Sequence, residues 1–162
     1  MPDLTMQKEK ALDHLRLVEL FFFAYRDFTH DPDLILEQYK FGRAHHRVLH
    51  FVMRNPGISV SDLLKFLKIT KQSLAPILKK LVEQGFVEQK EGVTDRRQRF
   101  LYLTEKGNSL ARRLCDVQAE RFEKALENCS LEQKRFAFDF LFALTDGENR
   151  EDIKYWISSN IV

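Results

Sequence analysis

The sequence is poor in cysteine and lacks long apolar runs, and each absence excludes a class of protein. Two of its 162 residues are cysteine, Cys115 and Cys129, which excludes a disulfide-stapled scaffold and is typical of a reducing compartment. No apolar run approaches the roughly 18 residues that a membrane-spanning helix needs. The opening MPDLTMQKEK has no signal-peptide core. We therefore expect a cytoplasmic protein with no membrane partner.

Motifs of catalysis are also missing. The sequence has no glycine-rich phosphate loop, no GxSxG, no HExxH and no nucleophile at local spacing from a base. We therefore predict that the chain is not an enzyme and uses no cofactor. The two cysteines are predicted to lie about 21 Å apart along one helix, too far for a disulfide. Reduced thiols are the simplest interpretation, and a redox sensor near Arg112 and Arg113 is the alternative.

Three neighbouring histidines are candidates for binding a metal ion or a small molecule. His46 and His50 are spaced i, i+4 on a predicted helix, with His45 beside them. Two imidazoles at this spacing can hold a metal ion, but a third ligand would have to come from elsewhere. The other interpretations are the lining of a ligand pocket, a dimer contact or an ordinary polar helix face. We predict no metal site and keep a metal sensor as an alternative.

Phenylalanine is abundant, with 14 residues against one tryptophan. Hydrophobic residues make up 44% of the chain and charged residues 31%, which is typical of a globular protein and not of a disordered one. This much apolar surface fits either a phenylalanine-rich monomer core or an obligate dimer. We favour the dimer, because long apolar helices need a surface to pack against.

The net charge of +2 conceals an uneven distribution. Residues 1–64 contain 8 Lys and Arg against 9 Asp and Glu, and residues 107–162 contain 8 against 10. Residues 65–106 contain 10 against 5. The excess positive charge therefore lies in the middle of the chain, where a polyanion would bind, although a solvated basic face has the same composition.

Hydrophobic periodicity and turn signals predict a mainly α-helical chain with one small β-hairpin. Ser59, Thr70, Thr104 and Ser130 are the predicted helix N-caps. Four phenylalanines between 136 and 142 alternate as in a strand, but the cap and the length favour a helix. The predicted helices cover residues 8–28, 42–54, 60–67, 71–84, 105–127 and about 130–145, and the predicted strands cover 86–90 and 99–103.

Two prolines and the tail modify this pattern. Pro32, within His30-Asp31-Pro32-Asp33, is expected to break the first helix. Pro76 lies inside the 71–84 helix, where it removes a backbone donor to the Gln72 carbonyl and favours a kink. The tail, 148–162, is expected to hold one more helical turn around Trp156, packed on the body or on a partner subunit.

The order helix, helix, tight turn, helix, hairpin is that of a winged helix-turn-helix. Residues 68–70 join two helices in about three residues, which leaves the outer face of the 71–84 helix free to enter a DNA major groove. A cation, an amide and a hydroxyl stand at the N-terminus of that helix, on Lys71, Gln72 and Ser73. An amide can bridge an adenine edge, and the helix N-terminus itself favours phosphate.

The hairpin tip has the sequence Asp95-Arg96-Arg97-Gln98-Arg99. Three arginines beside a recognition helix suit phosphates or a narrow minor groove. Asp95 would repel DNA, so we expect it to pair with an arginine and hold that side chain in one pose. Such a surface pair contributes only about 0–1 kcal/mol of stability.

Two segments, ITKQSLAPILKKLVEQGFVEQ and DRRQRFLYLTEKG, resemble the recognition helix, the wing and the wing-to-helix junction of the MarR family. The Asp-x-Arg pattern of the wing falls on Asp95 and Arg97, and the LTEKG junction on residues 103–107. The likeness is strongest over about 42–110. It implies that the 71–84 helix reads the major groove, that Arg97 reaches the minor groove, and that the first and last two helices form the dimer.

The resemblance implies a homodimeric, sequence-specific regulator, usually a repressor, that a small ligand bound between the dimer helices and the DNA-binding lobe releases from DNA. His45, His46 and His50 are the candidate ligand-pocket residues. A winged-helix protein-interaction module without DNA binding is the second hypothesis. We expect a dimerisation helix and linker over 1–38, a DNA-binding lobe over 39–106, and dimerisation helices with a tail over 107–162. The candidate DNA-binding residues are Thr70, Lys71, Gln72, Ser73, Pro76, Lys79, Lys80, Asp95, Arg96, Arg97 and Arg99.

Overall fold

The structure, a computed structural model, describes the backbone of residues 4–159 and the side chains of residues 13–158. It is mainly helical with one small antiparallel sheet, as the sequence predicts. None of its described helices is both long enough and apolar enough to cross a bilayer. The elements are α1 (Leu4–Glu37), α2 (Arg43–Arg54), β1 (Ile58–Ser59), α3 (Val60–Leu67), α4 (Lys71–Glu83), β2 (Val87–Glu91), β3 (Arg99–Leu103), α5 (Glu105–Leu126), α6 (Leu131–Ala143), a 3-10 turn (Gly147–Asn149) and α7 (Arg150–Ser159).

The core fills the space between α2, α3, α4, the sheet and the first half of α5. In α4, for example, Leu74, Leu78 and Leu81 recur at helical spacing and are buried. The remaining core residues come from these elements, from the end of α1 and from the connections that follow α1 and α4. They are Ile35, Leu36, Phe41, Val48, Leu49, Val52, Ile58, Leu63, Leu67, Phe86, Val87, Leu101, Leu110, Ala111 and Leu114.

The sheet has the strand order β1-β3-β2, and both pairs are antiparallel. The hairpin pairs Val87 with Leu103 and Glu91 with Arg99, so β2 begins one residue later than predicted. Strand β1, which the sequence does not reveal, pairs Ile58 with Leu101. Two residues are too few for a periodic pattern, so only the pairing defines this strand.

The predicted break of the first helix at His30 to Asp33 is wrong. Helix α1 is continuous and contains Pro32, which is buried. A proline lacks the N–H that would bond the carbonyl four residues earlier, here that of Phe28. The side-chain amide of Gln118 in α5 donates to this carbonyl at 3.4 Å. A contact from 90 residues away thus replaces the missing donor.

All four predicted N-caps are confirmed. The side-chain oxygens of Ser59, Thr70, Thr104 and Ser130 each accept a backbone N–H from three residues later. At Ser130 the backbone N–H also donates to the side-chain oxygen of Gln133, which completes the predicted capping box. The alternating phenylalanines therefore lie in a helix, α6, as predicted.

Candidate nucleic-acid interface

Helix α4 and the wing, which is the β2–β3 hairpin, stand on two sides of an open groove of about 940 Å³. Its floor is apolar and includes Leu64, Leu74, Leu78 and Phe100. The charged side chains that line it are four cations, Lys71, Lys79, Arg97 and Arg99, and two carboxylates, Asp62 and Glu83. The positive excess therefore lies where recognition helix and wing face each other.

The first turn of α4 is held by its cap and open on its outer side. The hydroxyl of Thr70 accepts the backbone N–H of Ser73 at 3.2 Å and lies 3.0 Å from the Ser73 hydroxyl. Lys71, Gln72 and Ser73 are all exposed. Thr70 and Ser73 therefore fix the helix start, while Lys71 and Gln72 keep their side chains available to a ligand.

Pro76 does not interrupt α4, which runs unbroken from Lys71 to Glu83. The proline is exposed and lies opposite the buried leucine stripe, between Gln72 and Lys79 along the helix axis. The carbonyl of Gln72 loses its helical donor, but Gln72 is itself exposed, so water can replace that donor. The outer face of α4 thus presents an apolar ring between an amide and a cation.

The two lysines of α4 differ in placement. Lys79 is exposed, lines the groove and lies 3.7 Å from the carboxylate of Glu83 one turn later. Lys80 turns toward the body, where its ammonium donates to the Lys40 carbonyl and lies 5.3 Å from the centre of the Phe41 ring. Lys80 is not among the residues that line the groove.

Asp95 does not hold an arginine side chain, contrary to our expectation. Its carboxylate accepts the backbone N–H of Arg97 at 2.9 Å, and among the described residues no ion pair links it to an arginine. Arg99 pairs instead with Glu91 across the hairpin, at 3.1 Å. Asp95 therefore fixes the backbone of the turn, and Arg96 and Arg97 are left exposed at its tip.

The three histidines of α2 lie away from the groove and belong to the packing of α2. Nδ1 of His45 accepts the backbone N–H of Gly42, and its ring stacks on Phe41 with centroids 4.7 Å apart. Burial, together with a smaller effect of the neighbouring His50, lowers the pKa of His46 to about 4. Burial also lowers the pKa of His50. Both imidazoles are therefore neutral at pH 7.

The described residues provide no set of metal ligands that would support the metal-sensor alternative. Within residues 13–158, no group of three or more His, Cys, Asp or Glu side chains is arranged to hold a metal ion. Both cysteines are free and half-buried. His46 and His50 therefore remain a pair without a third ligand in the part of the chain that is described.

Sequence reasoning missed the part of the groove that the start of α3 and strand β2 provide. Ser59, Ser61 and Gln89 line it beside the predicted residues. The cap at Ser59 locates the start of α3, but nothing local shows that this start faces the wing. That placement comes from β1, which ties the residues before α3 to β3.

Comparison with known proteins gives the family. The MarR family profile matches residues 39–98. PetP, an HTH-type transcriptional regulator of Rhodobacter capsulatus, is 50% identical over 108 residues, which are 67% of this chain and 65% of PetP. HosA, a transcriptional regulator of Escherichia coli O111:H-, is 31% identical over 104 residues, which are 64% of this chain and 70% of HosA. This chain thus spans about two-thirds of each relative.

A solved structure shows the same fold. FabT of Streptococcus pneumoniae, determined in complex with DNA, has a TM-score of 0.73 and covers 86% of this chain and 99% of FabT, at 20% identity. The likeness includes the arrangement of winged helix and flanking helices. With the capped α4, the wing and the profile match, it leads to one assignment. The chain belongs to the MarR family of transcriptional regulators and carries that family's DNA-binding winged helix.

Proposed function

We propose that this chain is a homodimeric repressor that binds a near-palindromic operator and leaves it when a small ligand binds. The observation that carries the proposal is the groove between α4 and the wing, with its four cations against two carboxylates. A major groove about 12 Å wide admits one α-helix. Inserting α4 there would bring Gln72 to base edges and Arg97 to the flanking backbone or minor groove.

The homodimer is supported by apolar surface that the single chain leaves uncovered. No residue of α6 is buried, and Phe22 of α1 and Phe136 of α6 are 67% and 70% exposed. An apolar patch of this extent marks an interface. The other large exposed apolar residues of the two helices are Leu15, Leu17, Val18, Leu20, Phe21, Phe23, Tyr25, Leu34, Leu131, Phe138, Phe140 and Leu141, and Leu144 directly follows α6.

A two-fold axis through α1 and α6 would give the operator its symmetry. Two α4 helices then enter successive major grooves, about 34–36 Å apart, so the half-sites are one turn apart and inverted. In this proposal residues 39–106 bind DNA, and residues 1–38 and 107–162 form the dimer. The protein works in the cytoplasm as a non-catalytic regulator, with Cys115 and Cys129 reduced.

The ligand response rests on the family likeness and on the junction between dimer helices and lobe. His46 and His50 lie half-buried on α2, and His46 is near Asp33 of α1. Neutral imidazoles there can donate or accept a hydrogen bond to a small molecule. A ligand that binds one spacing of the two lobes more tightly shifts the dimer toward that spacing. If this spacing mismatches the two grooves, the operator is released.

Salt titration tests DNA binding directly. The probe is a duplex that the wild-type protein selects from a random pool, compared with an unselected duplex. Four groove cations per protomer make eight per dimer, and eight neutralised phosphates give a log–log slope of about −7. Affinity should then fall by about four orders of magnitude between 50 and 200 mM salt. No binding to any duplex at low salt would favour a protein-interaction module instead.

Two substitutions separate backbone contacts from base reading. Arg97→Ala should weaken binding to all duplexes and lower the salt slope by about 1 per protomer. Lys124→Ala is the matched control, because it removes one cation about 29 Å along α5 from the wing end. Gln72→Ala should relax base preference at one position per half-site by about 1–3 kcal/mol. Equal losses on selected and random duplexes would show that Gln72 reads no base.

A further inference from the structure

After α6 the chain turns back and packs on the helix-turn-helix. The guanidinium of Arg150 donates to the carbonyl of Ala143, the last residue of α6, at 2.8 Å. The Trp156 ring packs on Phe51 of α2 and Phe66 of α3, with centroids 5.2 and 4.3 Å apart. Residues 146–158, here called the strap, thus contact both the end of α6 and the two helices that precede α4.

Two ion pairs join the strap to α3 and to the turn that leads into α4. The ammonium of Lys65 lies 2.8 Å from the Asp152 carboxylate, and that of Lys68 lies 2.7 Å from Asp146. Asp152 raises the pKa of Lys65, and Lys68 lowers the pKa of Asp146. Pairs between exposed side chains add little stability. Through these two pairs, the strap contacts both α3 and the turn that leads into α4.

The strap contacts α3 at Lys65 and Phe66, which follow the residues of α3 that line the groove. Ser61 and Leu64 of α3 line the groove, whereas Lys65 and Phe66 contact the strap. No residue of the strap lines the groove. The strap therefore does not cover the surface that faces DNA. It connects α6, which bears the uncovered apolar surface, to the helix that leads into α4.

We propose that the strap sets the position of the DNA-binding lobe relative to α6, and that Trp156 is a positioning residue for half-site spacing. The proposal rests on the homodimeric operator binding argued above. In such a dimer the distance between the two α4 helices depends on how each lobe is held against the dimer helices. A lobe that the strap fixes binds one spacing of half-sites, whereas a lobe that the strap does not fix binds several spacings.

The test compares spacing preference in wild type and Trp156→Ala. The probes are the duplex selected by the wild type from a random pool and derivatives with one base pair inserted or removed between half-sites. We expect the wild type to prefer the parent duplex. Trp156→Ala should lose about fivefold or more of this preference, the lower end of energetic couplings between sites, while keeping its affinity for random DNA. Equal losses on parent, derivative and random duplexes would overturn the proposal.

A second variant keeps the tryptophan and removes the ion pairs. Asp146→Asn with Asp152→Asn should also reduce spacing preference, and the matched control is Glu148→Gln with Glu151→Gln, which removes the same charge from exposed positions. Trp156 is the one tryptophan of the chain, so its emission reports docking of the strap. We expect a red shift in the Asp variant and none in the control.

The outcomes separate this proposal from the proposed function. If the wild type binds its selected duplex but shows no spacing preference, the strap has no positioning role and DNA binding stands. If both strap variants keep the full wild-type preference, the proposal is wrong. If the wild type binds no duplex, the proposed function fails and the inference fails with it.

Discussion

Gly107 is the position where the structure makes the sharpest prediction about stability. It lies in the first turns of α5, where replacing glycine by alanine ordinarily stabilises a helix by about 1 kcal/mol. A Cβ atom here would lie 2.0 Å from the carbonyl oxygen of Phe86 and 3.0 Å from its carbonyl carbon. Both are backbone atoms at the base of the wing, so no side-chain rotation can relieve the clash.

The size of the effect follows from what must move. Ordinary contact begins at 3.4 Å, so the wing base and α5 would have to separate by about 1.4 Å. The Phe86 carbonyl also accepts the backbone N–H of Thr104 at 3.1 Å, and that bond would be lost. Overpacking strain of about 1–3 kcal/mol and a lost hydrogen bond of about 1 kcal/mol outweigh the helical gain. After the helical gain is subtracted, we expect Gly107→Ala to lower the free energy of unfolding by about 1–3 kcal/mol.

Urea denaturation followed by far-UV circular dichroism measures this, at one fixed protomer concentration because a dimer's stability depends on it. The control is Gly147→Ala, where an added Cβ meets nothing within 4 Å. We expect that variant within about 0.5 kcal/mol of wild type. If Gly107→Ala is as stable as the wild type or more so, the close approach of α5 to the wing is refuted.

Three further predictions concern other parts of the molecule. The folded-state pKa of His46 is about 4, below the ordinary 6.5, so the unfolded state takes up a proton first as pH falls from 6.5 towards 4. Stability should drop in that window, by about 1–2 kcal/mol at pH 5, and His46→Gln should flatten the pH profile. Phe22→Asp should give monomers in light scattering, because it places a charge in the exposed apolar face of α1; an intact dimer would remove that face from the interface. Asp95→Asn keeps an acceptor for the Arg97 N–H and should bind DNA more tightly than Asp95→Ala; equal affinities would mean that this bond does not order the wing.

The parts of the fold that sequence reasoning predicted correctly depend on local chemistry. A hydroxyl three residues before a free backbone N–H forms a cap whatever surrounds it, so the caps at Thr70 and Thr104 could be identified directly. The leucine spacing of α4 likewise defines its buried side without knowledge of its neighbours. These two signals locate the recognition helix and the start of α5.

The error at Pro32 and the omissions at Lys80 and strand β1 come from contacts between distant segments. Pro32 ordinarily ends a helix, and only the amide of Gln118 explains why α1 continues. Lys80 is one of two adjacent lysines in the sequence, and only the Lys40 carbonyl shows that it faces the body. Strand β1 exists because Leu101 pairs with Ile58. Periodicity over a short window contains none of this information.

The contacts between α5 and the base of the wing determine how a signal could reach DNA. The wing is joined to α5 at its base, where Gly107 meets the Phe86 carbonyl and the Thr104 hydroxyl donates to the Gly85 carbonyl at 2.7 Å. Helix α5 then extends over 22 residues, about 33 Å, towards α6 and its uncovered apolar face. Because the backbone contacts at the wing base leave no slack, moving α5 must also move the base of the wing. Under the proposed function, a ligand at the junction of α1 and α2 would therefore have to displace the lobe as a unit, and release would depend on the separation of the two α4 helices.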